Sequence, residues 1–245
     1  MLKMNSILEK VCAQRTEKRI ENPLKIAFLG DSVTHGCFET WETNGQFDGS
    51  VDYENVYHAR LKRMLDIVFP KCPVTIINAG IGGDNTAGGL ARVQKDVIDH
   101  NPDIAIVCYG LNDVGGGMVG LEGYKKNLSL LFGRLQAAKI KTIFLTPNMM
   151  CTSVSPEYPK GGICVKAVAS CSRLQTEGVM DLYMEGARQV SRENEVELCD
   201  CYADWKKLEQ AGADITSLLA NHINHPTREM HALFAARLFE TLVLE

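Results

Sequence analysis

Short runs of apolar and β-branched residues return along this chain, each followed by a longer stretch of helical periodicity. Five such runs stand out: Lys25 to Leu29, Val74 to Asn78, Ile104 to Tyr109, Thr142 to Thr146 and Glu195 to Cys199. Between them the pattern predicts helices at about Tyr53 to Phe69, Thr86 to His100, Leu121 to Ala138 and Leu174 to Glu193. Strands this apolar must be covered on both faces, and alternation with helices is how a parallel sheet achieves that. The expected fold is therefore α/β: a three-layer α/β/α sandwich around a five-stranded parallel sheet, with all 245 residues in one domain. Pro226 is tolerated in the first turn of a helix, so a last helix is expected to begin just after His225. Pro147 to Ser172, rich in Pro, Gly and Cys, reads as an irregular insertion of the kind that forms lids and binding loops.

A formal net charge of −4 supplies no electrostatic attraction to nucleic acid or to an anionic membrane, and a small, uncharged ligand suits it better. The first residues are charged throughout, without the apolar core of a secretory signal, and no run is long enough to span a bilayer. Nine cysteines without CxxC spacing argue for reduced thiols rather than a structural zinc site. These features together predict a cytoplasmic protein; oligomeric state has no signature in the sequence.

In a parallel α/β sheet the loops after the strand C-termini form the working edge, which brings Gly30 to Gly36, Ala79 to Asn85 and Gly110 to Gly117 together. The first contains Gly30-Asp31-Ser32, which taken singly is a good helix cap. In the second, Gly80-Ile81-Gly82-Gly83-Asp84-Asn85 departs from a dinucleotide fingerprint because Asn85 replaces the last glycine, which argues against a nicotinamide or flavin site. Its glycines serve turn geometry or let a substrate oxygen approach the backbone N–H of Gly83. The third reads Gly110-Leu111-Asn112-Asp113, and near the C-terminus stands His222-Ile223-Asn224-His225-Pro226.

Together, in identity, order and position, these four blocks resemble the GDSL/SGNH hydrolase family. The segment TAGGLAR, Thr86 to Arg92, is also similar to the helix that follows the second block in bacterial esterases of that family. The resemblance implies a flavodoxin-like sheet with Ser32 as nucleophile and His225 as general base. It also implies oxyanion donors from Gly83 and Asn112, joined by the backbone N–H of Ser32. A serine hydroxyl needs an adjacent imidazole to take its proton, and amide donors can hold the developing oxyanion without a metal or cofactor. The implied reaction is ester hydrolysis through an acyl-enzyme. Short acyl esters, such as acetyl groups on a sugar or small alcohol, are the expected substrates.

One position departs from the pattern. The family carries Asp three residues before the histidine, and this chain has His222 there. Asp200 or Asp204 would have to substitute, or backbone carbonyls would have to orient the imidazole of a Ser-His dyad. A histidine beside His225 would also lower the base's pKa by repulsion. Two other enzyme readings compete less well: the Gly-x-Ser-x-Gly elbow is broken by Thr34, and His222, His225 and His231 lack an accompanying zinc-protease motif, leaving His231 a packing role. A catalytically degenerate binding module on the same fold remains the alternative.

Overall fold

The structure, a computed structural model, describes residues 23–155 and 162–244. The charged N-terminal stretch, with Cys12, and the middle of the expected insertion lie outside the described residues. The eight described cysteines are free thiols.

The five expected strands form one parallel sheet: β1 (Leu24–Gly30), β4 (Val74–Gly80), β5 (Ile104–Cys108), β6 (Lys141–Leu145) and β7 (Glu197–Cys199), in the order β4-β1-β5-β6-β7. The strand order reverses direction between the first and second crossovers, which puts a topological switch point at the ends of β1 and β5. Right-handed crossovers then fix the faces. Helix α2 (Tyr57–Val68) connects β1 to β4 on one side, while α3 (Thr86–Asp96), α4 (Gly117–Ala137) and α6 (Val179–Glu193) connect strands in the opposite direction and lie on the other. The packing agrees, since α2 meets the C-terminal helix α8 (His231–Phe239), and α4 meets both α3 and α6. Phe28, Phe132, Phe144 and Trp205 are among the largest fully buried side chains of the core between these layers.

Three local expectations need correction. The helix expected from Leu174 is two helices, α5 (Gly162–Thr176) and α6, because Gly178 adopts a left-handed conformation between them. The stretch Gly162 to Ser172, expected to be irregular, is thus helical. The last helix starts at His231 rather than next to Pro226, because Pro226 pairs with Leu219 in an isolated bridge and the Thr227 N–H donates to Leu218 O at 2.9 Å.

A hairpin follows the first short helix, α1 (Ser32–His35), and was not expected: β2 (Cys37–Thr43) and β3 (Gln46–Val51). Its signal is in the chain, since Asn44 and Gly45 both have positive φ, 53° and 76°, as a two-residue type I′ turn requires. A helix, α7 (Cys201–Gln210), was also unpredicted; Asp200 caps it by accepting from the Ala203 N–H.

Candidate active site

β1 ends at Gly30, in register with Gly80 of β4 and Cys108 of β5, so the three motif loops leave the sheet side by side. The Ile81 N–H donates to Gly30 O at 3.1 Å and ties the second loop to the first. Asp31 is the N-cap of α1, its Oδ1 accepting from the Val33 N–H at 3.0 Å, so the cap reading of this motif holds for Asp31. Ser32 is the first residue of that helix. Close packing requires Gly80 here, because a Cβ on it would lie 2.2 Å from the His35 backbone nitrogen. Asp31 is fully buried, and burial raises its carboxyl to about 7.

The Ser32 hydroxyl lies 2.8 Å from His225 Nε2. The other ring nitrogen, Nδ1, lies 3.0 Å from the backbone carbonyl of Phe38 in β2. A carbonyl only accepts, so Nδ1 carries the proton and Nε2 presents its lone pair to the serine. His225 sits in a tight turn built on Asn221, whose Oδ1 accepts from the backbone N–H groups of Ile223, Asn224 and His225 at 2.9–3.0 Å.

Neither Asp200 nor Asp204 stands in for the absent carboxylate. Asp200 pairs with Arg188 at 2.8 Å and Asp204 with Arg237 at 2.8 Å. His222 has a left-handed backbone, φ 52°, and its N–H donates to Leu219 O. The pKa of His225 is lowered to about 4, as expected, but for a different reason. Burial is the cause, and the Phe38 carbonyl and the Glu39 carboxylate oppose it. His231 is fully buried, accepts from the Tyr57 N–H through Nδ1 at 3.0 Å and packs against Phe38, Tyr57 and Phe234. Its expected packing role is what the surroundings describe.

Gly83 has φ 74° in the second loop, with open space where a Cβ would stand. The Asn112 amide donates to the carbonyl of neighbouring Asp84 at 2.8 Å, so Asn112 and the Gly83 loop are fastened together. Behind them Arg92 gathers the roots of all three loops. It donates to Gly30 O at 3.0 Å, to Ala79 O at 2.7 Å, to the Asp84 carboxylate at 2.7 Å and to the Tyr109 hydroxyl at 2.8 Å. Sequence reasoning missed Arg92, Asn221 and Phe38. The first two carry polar side chains whose spacing from the motifs is readable, whereas a backbone carbonyl has no residue signature at all.

A cleft of about 450 Å³ lies along β4, lined by His35, Tyr53, His58, Lys62 and Asn78 among others; none of Ser32, Gly83, Asn112 or His225 lines it. The hydrogen-bonded pair, not this cleft, therefore marks the candidate site.

Among curated proteins, an acetylxylan esterase of Geobacillus stearothermophilus is 33% identical over 90 residues, 37% of this chain and 40% of the relative. An arylesterase of Vibrio mimicus is 33% identical over 92 residues, 36% of this chain and 40% of the relative. The matched region thus spans about 40% of the length of these curated relatives. A solved acetylxylan esterase structure from Geobacillus stearothermophilus superimposes with a TM-score of 0.66 at 21% identity, covering 90% of this chain and 94% of that one, which shows a shared fold. The model of the GDSL-like Lipase/Acylhydrolase family matches residues 28–233, and the chain belongs to that family.

Proposed function

We propose that this chain is a carboxylic-ester hydrolase working through an acyl-enzyme on Ser32. The observation that carries the reading is the 2.8 Å contact between the Ser32 hydroxyl and His225 Nε2, with the opposite ring nitrogen held by Phe38 O. The proton of Ser32 passes to Nε2 as Oγ bonds to the ester carbonyl carbon. The carbonyl oxygen becomes an oxyanion, held by the backbone N–H groups of Ser32 and Gly83 and by the Asn112 amide. Collapse breaks the bond to the alcohol, which leaves with the proton from His225. Water then repeats the sequence and frees the acid. An imidazole with its pKa near 4 is neutral, and so able to accept a proton, at neutral pH. An intact serine–imidazole pair is what a degenerate binding module would have no reason to keep, which favours the enzyme.

For substrate we propose short acyl esters, acetyl groups on a carbohydrate or small alcohol first. Support comes from the relatives, which include acetylxylan esterases by name. Two measurements test the proposal. A fluorophosphonate probe labels Ser32 in the native protein, and Ser32→Ala removes both labelling and hydrolysis of nitrophenyl acetate. Asn112→Ala lowers kcat by about 10²–10³, the usual loss for one oxyanion donor. Unchanged turnover by purified Ser32→Ala protein overturns covalent catalysis at this residue. A chain-length series of nitrophenyl esters, followed by acetylated sugars, then defines the acyl and alcohol groups.

A further inference from the structure

We propose that Arg228, Glu39 and Asp52 form an ionic latch that positions the base, pressing the Phe38 carbonyl onto His225 where the family's usual carboxylate is absent. The inference rests on the Ser32–His225 reading above and concerns what keeps that pair aligned.

The need for a latch follows from where the carbonyl comes from. Phe38 belongs to the hairpin β2–β3, a two-stranded ribbon that joins no other strand among the described residues, and such a ribbon is marginal by itself. His225 lies on a separate turn 187 residues further along the chain. A backbone carbonyl can replace a carboxylate as the orienting group only if the two segments are held in one relative position.

The ribbon is shaped for this contact. Its register slips between Cys37↔Val51 and Thr40↔Gly49, so β2 carries one residue more than β3 at Phe38 and Glu39. A bulge of this kind releases a residue from the ladder and re-aims its groups. Here the Phe38 carbonyl turns to His225 Nδ1. Glycine at position 49 makes room for the bulge, since a Cβ there would stand 2.5 Å from the Glu39 carbonyl oxygen.

Arg228, three residues after the base, closes the gap from the histidine side. Its Nη1 and Nη2 donate to the two carboxylate oxygens of Glu39 at 2.5 and 3.2 Å, and its Nε donates to Asp52 at 3.0 Å. The guanidinium carbon also lies 4.4 Å from the centroid of the Phe38 ring. One cation therefore grips the bulge at two successive residues, Phe38 and Glu39, and the return end of the hairpin at Asp52. Asp52 is itself pinned, its N–H donating to Gly36 O at 2.9 Å. Isolated surface ion pairs do little, but a bidentate arginine–carboxylate contact inside a three-member network has defined geometry. The Arg228 contact holds the Glu39 carboxyl down at about 2, so the latch stays charged across neutral and mildly acidic pH.

These residues act through Phe38 and do not touch substrate; they are positioning residues. The test uses the whole protein without ligand, as wild type, Glu39→Gln, Arg228→Met and the double variant. Imidazole ¹⁵N shifts, assigned with His225→Ala, report which ring nitrogen of His225 carries the proton. Wild type is expected to show the Nδ1–H tautomer, and the latch variants a mixture with Nε2–H. With nitrophenyl acetate, kcat is expected to fall about 10- to 100-fold, the scale of a small misplacement of a reacting group. KM should stay within about 2-fold, as expected when an orientation used in the chemical step is lost. The double variant should be no worse than the worse single one, because both changes open one latch. A pure Nδ1–H tautomer in the variants overturns the proposal whether or not kcat falls, since a merely structural loss would leave the tautomer alone. Glu39→Gln preserves shape and carries the test if Arg228→Met does not fold. The reading beneath it fails separately: turnover by Ser32→Ala would remove the nucleophile but leave the tautomer measurement to decide the latch.

Discussion

His225 has only one ring nitrogen to offer an orienting group, and Phe38 O occupies it at 3.0 Å. A carboxylate introduced at position 222 would find that nitrogen taken. His222→Asp is therefore expected to leave the pH dependence of kcat/KM unaltered, contrary to the simple expectation that restoring the family's Asp raises the base's pKa. The Glu39 carboxylate does act on His225 electrostatically, opposing the effect of burial, and His225 in turn lowers the neighbouring His231. Burial lowers the pKa to about 4. A base works when neutral, so activity should hold as the pH falls through 6.5 and drop only near pH 4, where Glu39 is still ionised. An acidic limb of kcat/KM near 6.5 would show that the imidazole is better solvated than this burial allows.

At the scale of elements, two segments distant in sequence close around the histidine turn. The hairpin reaches it through Phe38. The segment after β6 reaches it through Asn148, whose amide donates to Asn224 O at 2.8 Å and to Met149 O at 2.7 Å, and through the Cys151 N–H, which donates to Ile223 O at 2.8 Å. Helix α5 then meets the hairpin near its tip, the Ile163 N–H donating to Glu42 at 2.5 Å. The stretch read as an irregular insertion thus begins as a brace for the histidine turn. Asn148 is fully buried, and Asn148→Ala leaves the buried Met149 carbonyl and the part-buried Asn224 carbonyl without this donor. It should destabilise the fold by about 1–3 kcal/mol, the cost of unsatisfied buried polar groups, as read from the urea midpoint at constant slope. A midpoint equal to wild type would mean that water replaces the amide.

For the whole molecule, buried titratable groups set how stability varies with pH. Burial lowers His58 and His225 to about 4, and burial with the neighbouring His225 and His58 lowers His231 to about 3. An unfolded histidine titrates at about 6.5. Between those values the unfolded chain binds more protons, so this stability is present above about pH 6.5 and is lost as the pH falls. Asp31, raised to about 7 by burial, and Asp113, also raised by burial, act in the opposite sense: their contribution is present at low pH and is lost as the pH rises through their raised pKa values. Three histidines outweigh two aspartates, and each net proton is worth about 1.4 kcal/mol per pH unit. Urea unfolding should therefore show a lower midpoint at pH 5 than at pH 7. A midpoint that is flat or rises toward acid would contradict the burial of these imidazoles.

Much of this was readable in the chain. The alternation of apolar runs and helical periods determined the parallel sheet, because burial on both faces leaves a strand little other choice. The motif blocks at the strand ends determined where Ser32, Gly83 and Asn112 would lie, because a parallel sheet gathers those ends at one edge. Asn44-Gly45 carries a hairpin signal that the expected elements did not include, and that signal does not say what the hairpin touches. The partner of His225 Nδ1 was decided by tertiary structure alone. Every non-terminal residue has a carbonyl, so nothing in residue identity singles out Phe38; it takes a bulge, an arginine from another segment and the packing of both against the sheet edge. The lowered pKa of the base has the same origin, since desolvation depends on what surrounds a side chain and not on its place in the sequence.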